Sequence, residues 1–324
     1  MEPALHVVGY LDLLGQSAAM EPLQTLPRTQ EEAFEHGRVV MHHATVVRDL
    51  RELLNDWTSY VRAIKPVQLS ETVPGQARQD FIRIMSPRVQ HIGFSDCFVV
   101  SLKVGFDASR PKEPQPSEAV YGIHALLSGI IAVSVKGLAH GIPMRGGVEL
   151  GLAVDLYPPN EVYGPALVSA YELEQGAEYP RTAVGRNLLA YLTSCSKIGG
   201  HPQFEFAATM ANQALALICD APDDRQPMVH FLAPHLAAAS AEFCAEKVTA
   251  EKWTHEQIDR YRSCDDPESR KRHARYQRLE QYFSTYAAPV GEVEMGAPAD
   301  HDRAQQEQNS APSAESASTR SEPQ

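Results

Sequence analysis

From Leu5 to Leu13 nearly every position is apolar or β-prone, and the run closes at Gly15. A short, continuous apolar run ended by a glycine predicts a strand buried on both faces and followed by a tight turn. A polar stretch from Gln16 to Thr29 comes next. Val39, Val46, Val47, Leu50, Leu53, Leu54, Trp57 and Val61 then recur at three- and four-residue spacing, which predicts one long amphipathic helix laid against a sheet. Residues 88–102 (RVQHIGFSDCFVVSL) read as a hairpin, with Gly93 to Asp96 supplying the turn and Cys97 to Leu102 the return strand. Three prolines mark 109–118 as a connection. An apolar helix is expected over Ala119 to Ala139, stopped by Gly141 and Pro143.

Further on, RGGVELGLAV (145–154) predicts a strand, and GPALVSAYELEQGA (164–177) a helix that begins after Gly164. TAVG, the helix-like NLLAYLTSC and a last strand at MVHFLAP follow, with helical material that includes the charged segment Tyr261–Tyr286. Strands and helices in this order predict an α+β fold built from hairpin and crossover units. Residues 1–220 read as the core, and 221–287 as a last strand with a helical extension. Residues 288–324 are Pro, Ala, Ser, Gln and Glu without aromatic anchors, the composition of a disordered tail.

Composition narrows the function classes. A chain of 324 residues with 43% apolar content can bury a sizeable core. Its formal charge of −12 argues against non-specific binding to nucleic acid or to an anionic membrane surface. Five cysteines, an odd number without a CxxC pair, suggest neither a disulfide framework nor a structural zinc site. The first residues, MEPALHVVGYLDLLG, lack the basic n-region of a signal peptide, and the apolar run Ala125–Ala139 is short for a membrane span. The expectation is a reduced, cytoplasmic protein.

Asp12 ends a strongly apolar strand, and Asp96 sits in a hairpin turn with apolar residues on both sides. An ionised carboxylate among such neighbours needs a cation, a hydrogen-bond network or water. One reading is structural: Asp12 bonded to nearby amides and Asp96 an ordinary turn aspartate. The other is chemical: Mg²⁺ and Mn²⁺ prefer carboxylate oxygens, and two strand-end aspartates suit a pair of ions about 4 Å apart.

The surroundings of both aspartates carry a resemblance. YLDLLGQS (10–17) and GFSDCFVVS (93–101) resemble the two metal-binding motifs of class III nucleotidyl cyclases, where the first Asp ends the opening strand and the second lies in a later hairpin turn. MRGGVELG (144–151) and VYGPALVSAYELEQGAEYPRTAV (162–184) look like the strand, Gly-initiated helix and strand that follow in that family. The set is most similar to the bacterial pyrimidine cyclases of Pycsar antiphage defence, over about residues 5–285.

The resemblance implies a ferredoxin-like βαββαβ nucleotidyl cyclase core and a homodimer with its site at the interface. It implies conversion of UTP, or CTP as the alternative, to the 3′,5′-cyclic monophosphate and pyrophosphate. Two Mn²⁺ or Mg²⁺ ions would be held by Asp12 and Asp96 with the Leu13 carbonyl, and the amides of Leu14, Gly15 and Gln16 would face the phosphates. The product would act on a separate cyclic-nucleotide-sensing effector. For the base, Gln90 and Arg88 share one strand face with Ile92, and an aromatic such as Trp57 or Tyr60 could fill the pocket.

One departure bears on the chemistry. Purine cyclases carry an Asn and an Arg four residues apart on the helix after the Gly turn; here Val168 and Glu172 stand at those positions. Either another cation such as Arg145 or Arg181 substitutes, or the metals carry more of the reaction, or the domain binds without turnover. Arg181 reads as structural or as part of a dimer interface. A purine cyclase of the same fold and a non-catalytic nucleotide-binding or interaction domain are the alternatives. The basic run Arg270–His273 with Arg275 and Arg278 reads as a solvated helix face, or as a reach over to a partner's triphosphate.

Overall fold

The structure, a computed structural model, describes residues 3–15, 20–63, 89–104, 116–156, 161–200, 202–233 and 241–286. Its first strand, β1 (Ala4–Leu13), is apolar on both faces because it lies inside the sheet and is covered on both sides. Helix α1 (Gln30–Ala63), the hairpin β2 (Gln90–Phe94) and β3 (Cys97–Lys103), helix α2 (Pro116–Ala139) and strand β4 (Met144–Leu156) follow. Their spatial order is β2-β3-β1-β4, with antiparallel pairing at each step. That order is the ferredoxin-like βαββαβ arrangement that the resemblance implied.

Strand β5 (Glu161–Tyr163) pairs with the end of β4 and leads into α3 (Pro165–Gly176). β6 (Thr182–Val184) joins β4 in parallel, and α4 (Arg186–Cys195) and α5 (Pro202–Leu215) follow. β7 (Ile218–Asp220) and β8 (Pro227–Val229) extend the sheet beyond β6. Helices α6 (Ala241–Arg262) and α7 (Pro267–Tyr286) end the described chain.

Alternation divides the sheet between two cores. Val7, Leu11 and Leu13 of β1, with Phe98, Val100 and Val148, face the main core. Val8 and Val99 face a smaller one, closed by Ala166 and Ala170 of α3. Glycines on β4 let α3 lie close, since a Cβ on Gly147 would collide with the Ala170 carbonyl and one on Gly151 would crowd Ala166. The main core centres on α2, where Ile123, Leu126, Leu127, Ile130 and Ile131 are almost wholly buried. Burial of each is worth about 2 kcal/mol relative to exposure. By length and composition α2 is apolar enough to cross a membrane, but its apolar surface is spent inside the chain, against α1, α5 and α6.

Four local expectations needed correction. α2 begins at Pro116 rather than Ala119, because a proline in the first helical turn lacks only an N–H that would have had no partner. The segment Tyr261–Tyr286 is helical as expected but interrupted. It breaks after Arg262 and restarts at Pro267, where the Asp266 carboxylate accepts from Ser269 N at 2.8 Å. The last strand covers only Pro227–Val229; beyond it His230 N turns to Leu217 O (2.7 Å) and Leu232 N to the Tyr282 hydroxyl (3.0 Å). β5, α5 and β7 were not anticipated, the two strands because three residues are too few to show alternation. All five cysteines are free thiols. The proposed tail at 288–324 lies outside the described residues.

Candidate functional site

Register brings the site together. Asp12, at the end of β1, lies opposite Cys97 on one side and Arg145 on the other. Asp96 immediately precedes Cys97 in the β2–β3 turn, and its carbonyl accepts from Leu13 N at 3.1 Å. The turn is tight enough to hold Ser95 at φ 48°. Asp12, Leu13, Leu14, Gly15, Asp96 and Arg145 thus line one cleft of about 660 Å³.

The even-numbered face of β1 that carries Asp12 is the face covered by α3, and α3 contributes a residue the sequence reading passed over. Glu174 is fully buried, and its carboxylate contacts Arg145 Nε. Arg145 in turn reaches Asp12 Oδ2 at 3.7 Å. One guanidinium is therefore shared between two carboxylates, with Asp96 close by. The contact with Glu174 lacks hydrogen-bond alignment, leaving Arg145 Nε and Glu174 Oε1 without a directed partner. Burial, with the charges of Glu174 and Asp96, pushes the Asp12 carboxyl up to about 6, against the opposing pull of Arg145. Burial also raises Glu174. Such a displaced carboxyl in a cleft, raised chiefly by burial, marks a candidate functional site.

The sequence-derived candidates fare unequally. Asp12, Leu13 and Asp96 converge on the cleft. Of the amides expected to face phosphates, that of Leu14 is already donated to Pro143 O at 2.9 Å, because the chain leaving β1 still pairs with the segment entering β4. Gly15 lines the cleft with φ +90° and open space around its α-carbon, a backbone conformation suited to glycine. Gln16 lies outside the described residues, as do Arg88 and the side chains of Trp57 and Tyr60. Gln90 opens β2 on the face shared with Ile92 and Val99, at the opposite end of the strand from Asp96, and is not part of the cleft wall. Its Oε1 is buried without a partner.

Arg181 is structural: it pairs with both Asp224 oxygens at 2.9 and 2.5 Å. Glu149 is also accounted for, its Oε1 accepting from Leu188 N at 2.9 Å in the first turn of α4. Val168 and Glu172 lie on the exposed side of α3, away from Glu174.

The basic segment contributes more than a solvated face. Glu268, Lys271 and Arg275 of α7 line the Asp12 cleft of their own chain. Lys271, Arg275 and Arg278 also line an adjoining cleft of about 340 Å³ that shares Arg145. The spacing of three, four and three residues along a helix was the available signal, since it places these side chains on one face.

Among the described residues no group of three or more His, Cys, Asp or Glu side chains is arranged to hold a metal ion. Asp12 and Asp96 offer only hard carboxylate oxygens. That donor set fits Mg²⁺ or Mn²⁺ bound by one or two carboxylates and completed by phosphates and water.

No family model and no curated protein matches this sequence. Among solved structures, the chain is similar to a class III adenylyl cyclase-like ATP-binding protein from Pseudomonas aeruginosa, at 10% identity and a TM-score of 0.36. The likeness covers 80% of this chain and 44% of that one, so the chain spans less than half the length of its structural neighbour.

Proposed function

We propose that the chain is a nucleotidyl cyclase that binds a nucleoside triphosphate with two divalent cations at Asp12 and Asp96, with UTP as the preferred substrate and cyclic UMP as the product. The supporting observation is the convergence of both aspartates with Arg145 on one cleft of about 660 Å³, a size usual for small-molecule sites. Bound there, the ions would supply neutralisation of phosphate charge and activation of the ribose 3′-hydroxyl for attack on the α-phosphate.

The protein's own groups prepare for that chemistry. Asp12, raised to about 6, exchanges its residual proton for a cation near neutral pH. Arg145, 3.7 Å from Asp12, would then be available to the phosphates, while buried Glu174 keeps its guanidinium at the sheet end. Arg145 thereby takes the part of the cation that Glu172 leaves unfilled. Tyr163 of β5 and Val168 and Tyr171 of α3 are exposed and would be available for contact with a second copy of the chain, in keeping with a homodimer. In this reading the cyclic nucleotide is a messenger in antiphage defence, received by a separate effector.

A second reading, nucleotide binding without turnover, is favoured by Val168 and Glu172, neither of which can orient a ribose or stabilise a phosphoryl transition state. Purified protein incubated with Mn²⁺ and each of the four ribonucleoside triphosphates, with products identified by mass spectrometry, separates the readings. Cyclic UMP and pyrophosphate are expected from UTP. Turnover of ATP or GTP alone removes the pyrimidine assignment and keeps the cyclase. Binding without product supports the second reading, and no binding at all removes both.

A further inference from the structure

Helix α7 has two unlike faces. Leu279, Tyr282 and Phe283 sit in the main core, and the Tyr282 hydroxyl lies 2.8 Å from His230 Nδ1. Arg278 is engaged by Glu178 and Asp223. These contacts fix the C-terminal half of the helix. The N-terminal half then holds Lys271 and Arg275 along the wall of the Asp12 cleft. Glu268, on the same wall, is partnered by Arg272 at 3.3 Å.

Lys271 and Arg275 differ from Arg272 and Arg278, which are both held by carboxylates. Among the described residues neither Lys271 nor Arg275 lies in an ion pair, and Arg275 Nε is buried without a hydrogen-bond partner. In a chain of net charge −12, with acidic groups abundant, a partly buried arginine with an orphaned Nε–H in the cleft of Asp12 and Asp96 is a costly arrangement. It is also a polar one. Asp12 and Asp96 mark the sheet end of the cleft with Arg145 beside them, while Lys271 and Arg275 line the α7 wall together with the Arg272-paired Glu268 and, with Arg145, continue into the adjoining cleft. A metal–polyphosphate has the complementary polarity, with metal ions towards carboxylates and phosphate oxygens towards cations.

We infer that α7 supplies, within its own chain, the cations that hold the polyphosphate of the bound nucleotide, through Lys271 and Arg275 acting with Arg145. This rests on the reading of Asp12 and Asp96 as a divalent-cation site and deepens it: the C-terminal helical extension becomes a wall of the ligand site, and the phosphates point towards α7.

Calorimetric titration of the full-length protein with inorganic tripolyphosphate, UTP and UMP in Mn²⁺ tests the inference. Wild type is expected to bind tripolyphosphate and UTP. The Lys271→Ala/Arg275→Ala variant should bind both at least about tenfold more weakly, a loss of about 1.4 kcal/mol, with little change for UMP. Lys271→Arg/Arg275→Lys should retain most of the affinity. Lys271→Gln, at an exposed position, provides a single-site variant whose folding is not in question, with a smaller loss in the same direction. Mixing Asp12→Asn chains with Lys271→Ala/Arg275→Ala chains should restore no turnover. Recovery towards about a quarter of wild-type activity, the level expected for one intact site in each heterodimer of an equal mixture, would show that α7 serves the partner's site and overturn the inference.

Equal affinity of wild type and the double variant for tripolyphosphate overturns it while leaving the two-cation reading intact, and absence of binding by wild type overturns it as well. Binding that needs Lys271 and Arg275 but neither Mn²⁺ nor Asp12 removes the two-cation reading and keeps the polyphosphate wall.

Discussion

Arg145 and Arg181 stand thirty-odd residues apart on neighbouring strand segments, and each meets two acidic side chains, but to opposite ends. Arg181, 2% exposed, is gripped by both oxygens of Asp224, has Asp223 at 3.6 Å, and lies over the Tyr179 ring at 4.7 Å. Its hydrogen bonds hold the Asp224 carboxyl below its ordinary range. Arg145, 19% exposed, is stretched between Asp12 and Glu174 with imperfect alignment, and Asp12 is pushed up to about 6. The first pair is a finished structural contact. The second is a buried acidic centre in which desolvation and two further carboxylates outweigh one shared arginine. An arginine near an aspartate therefore says little; the direction in which the aspartate is shifted separates the two roles.

The largest test of this contrast exchanges the fates of the two aspartates. Asp12→Asn is expected to lower Mn²⁺-dependent turnover by roughly a thousandfold, the scale of a lost electrostatic contribution to phosphoryl transfer, while leaving urea stability unchanged or raised. Asp224→Ala should do the reverse, costing about 2 kcal/mol of stability through the desolvated Arg181 it leaves behind, with turnover per folded molecule retained. If Asp12→Asn destabilises as much as Asp224→Ala, the Asp12 centre is structural and the proposed function loses its support.

A second test is pH. For Asp12 the folded value lies above the unfolded one, so the native state binds the proton more tightly, and stability without metal declines as pH rises from about 4 to about 6. For Asp224 the folded value is depressed, so its contribution is present above the unfolded value and is lost as pH falls through the folded one. Stabilisation by Mn²⁺ should grow as pH rises through about 6, and Asp12→Asn should remove that dependence. Melting temperatures with and without Mn²⁺ at pH 5 and pH 7.5 read both effects. An equal metal-induced shift at the two pH values would sink the assignment.

The smallest expected effect sharpens the acidic side. Glu174→Gln removes one of the charges that raise Asp12 and keeps the volume of the side chain. Asp12 should then titrate lower, by an NMR-detected carboxyl titration, with a loss in kcat/KM of about tenfold as Arg145 loses its anchor. An unmoved Asp12 would assign its shift to burial and Asp96.

Much of this contrast was hidden in the chain. Asp12 and Asp96 could be singled out because a charge inside an apolar strand is conspicuous without any knowledge of neighbours. Glu174 was not, since on an isolated helix it reads as one acidic residue among Glu172, Glu174 and Glu178. Only the packing of α3 against Gly147 makes it a buried partner of Arg145. Lys271 and Arg275 read as a solvated stripe for the same reason.

By itself the sequence determined the local elements: the buried β1, the hairpin around Asp96, the long α1, the apolar α2, and through their order an α+β fold, with the βαββαβ core implied by the family resemblance. Periodicity and turn residues act over a few positions and need no partner. The tertiary structure decided what those elements meet. It placed Arg145 opposite Asp12 by strand register, committed the Leu14 amide to Pro143, closed the Arg181–Asp224 pair and laid α7 along the cleft. Each depends on desolvation and on contacts between distant segments, and neither has a local signature.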